Sequence, residues 1–290
     1  MKKVIKALGV AAILFSLSAS AQQTPNYSFW RQNMNLLNPA YAGSTEKTEV
    51  NLTFRDQWNG VDGGPRTQSI HGQTSLTDKM GLGLSIEQDR VFIQRETNLF
   101  ANFSYKLQIN DKHDIYLGIK AGGSFFSADL NNLQTADPIN AKEPNRFNPN
   151  VGVGAYYKQE KFFVSLSAPR LLKAKRYEEI SGTSQEAADE MLVMLGGGYF
   201  YNINDNIQLI PAVMARYVGG SPFGLDASLS ARFYDKFELG GNYRLNDSAS
   251  LLATFQVAET LDLGFAYEFT TSDVNEVTTG GPELLLKLKF

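Results

Sequence analysis

The sequence predicts an all-β protein: a transmembrane antiparallel up-and-down β-barrel of about fourteen strands, preceded by a cleaved signal peptide. Three observations predict this fold class. The chain opens with an export leader, large apolar residues then alternate with small or polar ones in many runs, and short connections between those runs alternate with long ones. Such alternation gives each strand one face for lipid and one face for the lumen.

The leader occupies residues 1–21. It has a charged start over residues 1–3, an apolar core over 7–17 and the small residues of a cleavage site over 18–21. The apolar core is too short to span a bilayer, so we expect a secretory signal peptide; a buried N-terminal helix is the alternative. The mature chain would then start near Gln22 and be exported.

The composition excludes several other classes of protein. Cysteine is absent, so no disulfide framework, thiolate metal site or cysteine nucleophile can form. The 27 basic and 30 acidic residues nearly balance, which gives no sign of a nucleic-acid surface. After the leader there is no run of about 20 apolar residues, which excludes a helical membrane protein. No phosphate loop, zinc spacing or EF-hand motif is present, so we expect neither a cofactor nor a metal.

Alternation with a period of two is the main evidence for strands. Over residues 80–87, large apolar residues alternate with glycine, serine and glutamate without a break. An amphipathic helix would instead repeat its apolar residues at intervals of three and four. Similar runs predict strands near residues 48–57, 66–77, 80–90, 94–108, 112–125, 149–158, 161–169, 190–202, 206–217, 222–234, 236–245, 248–258, 260–270 and 281–290.

The connections between these strands are sorted by length. The long ones are all odd-numbered: residues 58–65, 126–148, 170–189 and 271–280. The even-numbered connections are all short turns, such as residues 77–79 and 110–112. Outer-membrane barrels alternate short periplasmic turns with longer extracellular loops, whereas a soluble sandwich has no reason to do so. We therefore expect localisation as a multi-pass barrel in the outer membrane of a Gram-negative bacterium.

The last strand carries a pattern typical of outer-membrane barrels. Leu284, Leu286, Leu288 and Phe290 alternate with other residues, and the sequence ends on the phenylalanine. This arrangement resembles the barrel insertion signal that the assembly machinery reads. A soluble edge strand is the alternative.

Little in the sequence points to catalysis. His71 and His113 are the two histidines, and His71, near Ser69 and Gln73, loosely resembles an outer-membrane lipase. A working triad needs three groups in contact, so we predict no enzyme. Charged residues are also predicted on the inner face of the strands, where a barrel of this width has a polar, wet interior. They are Glu87, Lys120, Asp226, Arg232, Arg244, Asp262 and Glu268.

Two segments near the start of the mature chain are more specific than the strands. Residues 22–47 form an irregular segment, periplasmic or lumenal, ahead of the barrel at residues 48–290. The motif residues, which we also predict as partner-binding positions, are Asn38, Pro39, Ala40, Gly43, Arg55, Trp58, Gly60, Gly64, Pro65 and Thr67. With the strand array that follows, they resemble the PorP/SprF family of type IX secretion system outer-membrane proteins of Bacteroidetes. The resemblance covers essentially the whole mature chain.

The resemblance implies a non-catalytic outer-membrane barrel of the type IX secretion and gliding motility machinery. Such a barrel would bind the C-terminal domain of a secreted surface adhesin and support its export or its anchoring at the cell surface. Implied partners are that domain, type IX translocon components, a periplasmic cell-wall-binding or motor-linked protein, and outer-membrane lipid. The loops at 126–148 and 170–189 are the expected extracellular contacts.

Two other classes of function fit the same strands. A passive outer-membrane channel or hydrophobic small-molecule transporter predicts an open lumen, and a hydrolase requires His71 beside a nucleophile. A partner barrel predicts a lumen plugged by the N-terminal segment or by the adhesin domain.

Overall fold

The computed structural model describes residues 25–45, 47–128, 146–172, 191–219 and 221–290. The predicted signal peptide, and most of the predicted loops at 126–148 and 170–189, lie outside the described residues.

Fourteen antiparallel strands make up the barrel wall. In chain order they are β1 (Glu49–Asp56), β2 (Arg66–Thr77), β3 (Met80–Val91), β4 (Gln94–Asn110), β5 (His113–Ala128), β6 (Arg146–Gln159), β7 (Phe162–Arg170), β8 (Leu192–Tyr199, continued by Tyr201–Asn204), β9 (Ile207–Val218), β10 (Gly224–Phe233), β11 (Phe237–Arg244), β12 (Ser248–Ala258), β13 (Leu261–Thr270) and β14 (Gly280–Lys289). Among the described residues, three short helical segments accompany them: the α-helix α1 (Met34–Leu37) and 3-10 turns at Pro39–Tyr41 and Asp273–Glu276.

The sheet closes on itself. Each strand pairs with its neighbours in the chain, and β14 returns to pair with β1, where Leu52 lies opposite Leu286. Closure leaves no unpaired sheet edge, which a strand in hydrocarbon could not tolerate. The predicted all-β barrel is therefore confirmed.

The two faces of the wall differ in polarity. On β3, Leu84 points outward and is 58% exposed, whereas the neighbouring Ser85 points inward and is 4% exposed. The same alternation holds along most strands, with leucine, isoleucine, valine and aromatic side chains outside and asparagine, serine and charged side chains inside. The outer face is thus suited to lipid.

No helix in the part of the chain that the structure describes is long and apolar enough to cross a membrane.

The two ends of the barrel are distinguished by their connections. Even-numbered connections are tight turns, and β1 and β14 also begin and end at this short-turn end. The long connections all emerge at the opposite, long-loop end, although two odd-numbered connections there are also short: residues 92–93 and 245–247. In outer-membrane barrels the short-turn end faces the periplasm and the long-loop end faces outward.

The closing strand β14 presents its alternation as the sequence predicts. Leu284 and Phe290 are exposed on the outer face, Leu286 and Leu288 are half-buried there, and Leu285 points into the lumen. This placement gives an apolar outer stripe next to the β1 seam. Its use as an insertion signal stays a prediction.

Candidate functional site in the barrel lumen

Residues 25–45, here called the plug, lie inside the barrel. Tyr27, Phe29, Trp30 and Met34 are buried against the inner wall. The irregular N-terminal segment thus occupies the lumen rather than the space beneath the barrel. This part of the lumen is therefore occupied by protein and is not an open, water-filled interior.

The plug runs from the long-loop half of the lumen to the short-turn end. Near its start, the Tyr27 hydroxyl donates to Glu87 at 2.5 Å and the Ser28 backbone N–H donates to Glu283 at 2.7 Å. At its far end, Lys158 Nζ donates to the Ser44 carbonyl at 2.7 Å. These contacts reach β3, β6 and β14, so the plug crosses most of the barrel height.

Asparagine side chains attach the centre of the plug to the wall. Asn33 Oδ1 accepts from Thr53 Oγ1 at 2.9 Å and lies 2.9 Å from His71 Nε2. Asn35 Nδ2 donates to the Gly72 carbonyl at 3.0 Å, and Asn102 Nδ2 donates to the Asn35 carbonyl at 2.8 Å. Amide side chains suit this attachment because each can both donate and accept hydrogen bonds. A buried polar group without a hydrogen-bond partner would cost free energy.

The first half of the sequence motif forms the next contact. Asn38 Oδ1 accepts from the Ala40 backbone N–H at 2.9 Å and so caps the 3-10 turn at Pro39–Tyr41. Its Nδ2 atom donates to Ser165 Oγ at 2.8 Å and to the Ala155 carbonyl at 3.0 Å. Asn38 therefore fixes both the shape of the plug and its position on β6 and β7.

Glycines in the wall make room for this contact. A Cβ atom on Gly118 would overlap the Ala40 nitrogen, and one on Gly154 would overlap Asn38 Oδ1. Gly43, with φ +69°, would carry a Cβ atom 2.6 Å from the Gly81 Cα atom. These wall glycines were not predicted as contact residues. The sequence feature that could have indicated them is glycine at inward-facing positions of the alternating runs.

Arg55, a motif residue on β1, joins the wall to the plug through buried charges. Its Nη2 atom donates to both Glu268 oxygens, at 2.6 and 2.7 Å, and its Nε atom lies 3.6 Å from Glu283. Glu283 also accepts the Ser28 backbone N–H. Arg244 extends the network, since it reaches Glu268 at 3.2 Å and Asp226 at 2.9 Å. The wall strands at the seam are therefore tied to the start of the plug.

The second half of the motif lies at the long-loop rim. Gly60 has φ +88°, and Pro65 supplies a carbonyl that accepts the Gln57 backbone N–H at 2.9 Å. Trp58 takes a φ of +35°, which a bulky side chain rarely adopts. Thr67 Oγ1 donates to Asp89 at 2.7 Å. The structure thus divides the motif between the plug and the first connection, with Arg55 between them.

That first connection is held to its neighbours by backbone hydrogen bonds. The Asn59 N–H donates to the Gly280 carbonyl at 2.8 Å, and the Phe92 N–H donates to the Gly63 carbonyl at 2.8 Å. Gly64, the remaining motif glycine, packs against Trp58 and Val61. The connection is therefore an ordered surface rather than a free loop.

The two histidines serve as packing and hydrogen-bonding groups. His71 contacts Asn33 of the plug, and His113 stacks on Tyr157 at the short-turn end, with 5.9 Å between ring centroids. The predicted inward charges find protein partners; for example, Lys120 Nζ donates to the Leu36 carbonyl at 2.6 Å and Lys289 pairs with Asp262 at 2.7 Å. Among the described residues, no group of side chains is arranged to hold a metal ion.

A family model described as type IX secretion system membrane protein PorP/SprF matches residues 19–288. The chain belongs to this family. A comparison with curated proteins found no match. The predicted family and the predicted outer-membrane localisation are confirmed, and the short-turn end of this PorP/SprF member is its periplasmic end.

Solved structures with a similar fold are outer-membrane barrels. The CymD monoaromatic hydrocarbon channel has a TM-score of 0.53 and 13% identity, over 88% of this chain and 90% of that chain. The toluene transporter TbuX of Ralstonia pickettii has a TM-score of 0.51 and 11% identity, over 88% and 93%. The outer membrane protein Omp33 of Acinetobacter baumannii has a TM-score of 0.51 and 8% identity, over 84% and 99%. At these identities the likeness concerns the fold alone.

Proposed function

We propose that this PorP/SprF member is a non-catalytic partner barrel of the type IX secretion machinery. It binds the C-terminal domain of a secreted surface adhesin and supports the export of that adhesin or its anchoring at the cell surface. The family membership supports a place in the secretion machinery. The plugged lumen supports action by recognition rather than by conduction.

The plug is the observation that carries this proposal. It occupies the lumen with the protein's own chain and is held by hydrogen bonds from both halves of the wall. A partner domain that arrives from outside therefore meets the extracellular rim and not an empty pore. We propose the rim as the docking surface for the adhesin domain.

The described part of the rim offers apolar groups for such a contact. Phe92 is 54% exposed in the two-residue turn between β3 and β4, where its φ is +52°. Val277 is exposed on the last extracellular connection, and the half-buried Trp58 lies on the first. Exposed apolar side chains of this kind can form the centre of a docking surface.

A passive channel or a hydrophobic small-molecule transporter is the second candidate. Two proteins of similar fold are described as a monoaromatic hydrocarbon channel and a toluene transporter. Transport through this barrel would require the plug to move. The plug's buried hydrogen bonds oppose such movement.

The test is purification of the tagged protein from outer membranes of its native host in mild detergent, followed by mass spectrometry of co-purifying proteins. We expect to recover a large surface protein through its C-terminal domain. The variant Phe92→Gly should lower this recovery several-fold, because it removes the rim aromatic and relaxes its turn. The matched control is Tyr234→Gly, since Tyr234 is 68% exposed with φ +53° in a periplasmic turn.

A barrel that purifies alone and conducts ions in planar bilayers would favour the channel. If Phe92→Gly and Tyr234→Gly lowered the recovery of the surface protein equally, the rim would not be the docking surface.

A further inference from the structure

Three arginines form a row on the outside of the barrel at its extracellular end. Arg66 on β2 lies opposite Arg90 on β3, and Arg90 lies opposite Arg95 on β4. All three are exposed and point away from the lumen, because their neighbours Thr67, Asp89 and Glu96 point inward. The row therefore faces the outer leaflet of the membrane, at the level where lipid headgroups begin.

The protein balances only part of the charge of this row. Asp56 pairs with Arg66 at 2.9 Å. Across the ranges that the structure describes, Arg90 and Arg95 contact no acidic side chain. Like charges directly opposite one another on adjacent strands are destabilising, so the row favours an anion from outside the chain. The guanidinium fork binds both carboxylate and phosphate in a bidentate manner, and phosphate is the anion that membrane lipids carry.

The layers below the row change in polarity step by step. Two residues nearer the membrane centre, Gln68 lies opposite Gln88, whose Nε2 atom donates to Thr97 Oγ1 at 3.3 Å. Two residues further, Ile70 lies opposite Ile86. Moving inward from the end of the barrel, the outer wall thus presents cations, then hydrogen-bonding groups, then hydrocarbon. This is the order of a lipid's phosphate, its polar linkages and its acyl chains.

A concavity on the outer wall begins at the second of these layers. Its volume is about 890 Å³, and it extends across the seam between β1 and β14. Gln68 and Gln88 line its polar edge. Its apolar lining is Leu52, Phe54, Ile70, Ile86, Phe255, Leu263, Phe265, Leu284 and Leu286. The concavity is thus a place where acyl chains can lie below a headgroup held by the arginines.

We propose that this face binds a phosphate-bearing, multiply acylated lipid of the outer leaflet. The arginine row holds the phosphate, the glutamine layer contacts the polar linkages, and the concavity takes acyl chains. The charge complementarity of the row identifies the headgroup, and the apolar lining identifies the rest of the molecule. This proposal depends on the outer-membrane location of the barrel and not on the adhesin role.

The test uses the full mature chain in detergent, with fluorescent diphosphoryl lipid A as the probe. We expect saturable binding that weakens about tenfold or more in Arg90→Gln/Arg95→Gln, because two unpaired cations are lost. The control Lys112→Gln/Lys161→Gln removes two exposed cations from periplasmic turns and should bind as the unmodified protein does. Heat-modifiable migration in gels verifies that every variant is a folded barrel.

Two further measurements distinguish binding of the whole lipid from binding of its acyl chains alone or of phosphate alone. Dephosphorylated lipid A should bind about as weakly as diphosphoryl lipid A binds to the arginine variant, and excess inorganic phosphate should not release bound lipid A. The proposal is overturned if the arginine variant binds as tightly as the unmodified protein, if the lysine control loses as much affinity, or if the dephosphorylated probe binds equally well. Release by inorganic phosphate alone would also overturn it, since the acyl chains would then contribute nothing.

Discussion

Glycines on the inner wall determine where the plug can lie. Gly118 and Gly154 face Ala40 and Asn38 at distances that leave no space for a side chain. In the sequence they read as the small residues of ordinary alternating strands, and nothing there indicates what approaches them. Their role becomes visible once the backbone of the plug lies against them.

Adding a methyl group to this contact should loosen the plug. We expect Gly118→Ala to lower the free energy of unfolding by about 1–3 kcal/mol, because the new Cβ atom overlaps the Ala40 nitrogen. Urea titration of the protein in detergent, monitored by tryptophan fluorescence, measures this change. The control is Gly224→Ala, where the new Cβ atom would meet Arg216 at an ordinary 3.5 Å. Equal stability of the two variants would contradict the assigned contact.

Arg55 and Arg66 offer a direct comparison of buried and exposed charge. The side chain of Arg55 is 2% exposed between Glu268 and Glu283, whereas that of Arg66 is 52% exposed beside Asp56. We expect Arg55→Gln to lower the free energy of unfolding by about 3–5 kcal/mol, because buried Glu283 loses its cation and buried Glu268 keeps only Arg244. Arg66→Gln should cost about 0–1 kcal/mol. The same urea titrations measure both, and similar losses would show that the buried network does not stabilise the barrel.

At the scale of elements, the strands could be predicted and the plug could not. A strand with one face in lipid must repeat its apolar residues every second position, so a short stretch of sequence is enough to predict it. The predicted eighth strand, near residues 190–202, is the main departure. The structure interrupts it at Phe200, whose ring packs 6.0 Å from that of Phe163 inside the barrel.

The plug follows no such period. Its α-helix spans only Met34–Leu37, and most of its polar contacts are made to residues far away in the chain, as between Asn38 and Ser165. The sequence therefore left two places for this segment, beneath the barrel or within it. Long-range hydrogen bonds decide between them, and these cannot be read from neighbouring residues.

Removal of the plug should open the barrel. We expect a variant that lacks residues 25–45 to conduct ions in planar bilayers, whereas the unmodified protein stays closed at the same voltage. The milder variant Asn38→Leu should give brief openings, because the plug loses its hydrogen bonds to β6 and β7 while the chain stays whole. A control with Asn206→Leu changes an asparagine in a periplasmic turn and should remain closed. A silent deletion variant that still migrates as a folded barrel would show that other groups close the lumen.

The whole molecule combines a barrel wall that is similar to those of other outer-membrane proteins with a motif near the start of the chain. Alternation and loop lengths predict the wall, and the motif around Asn38 and Trp58 identifies the family. Neither the strand pattern nor the motif itself shows that the motif residues lie in two distant places, the lumen and the rim. Arg55 lies between these places and pairs with Glu283 beside the plug, so the motif residues extend from the plug to the rim.

The contact of the plug with the last strand also constrains biogenesis. Glu283 on β14 meets Arg55 on β1 across the seam, and it accepts hydrogen bonds from the first residues of the plug. We therefore expect Ser28 and Phe29 to lie inside the barrel when β14 pairs with β1. Pairing of β14 with β1 can thus select barrels whose plug already lies in the lumen.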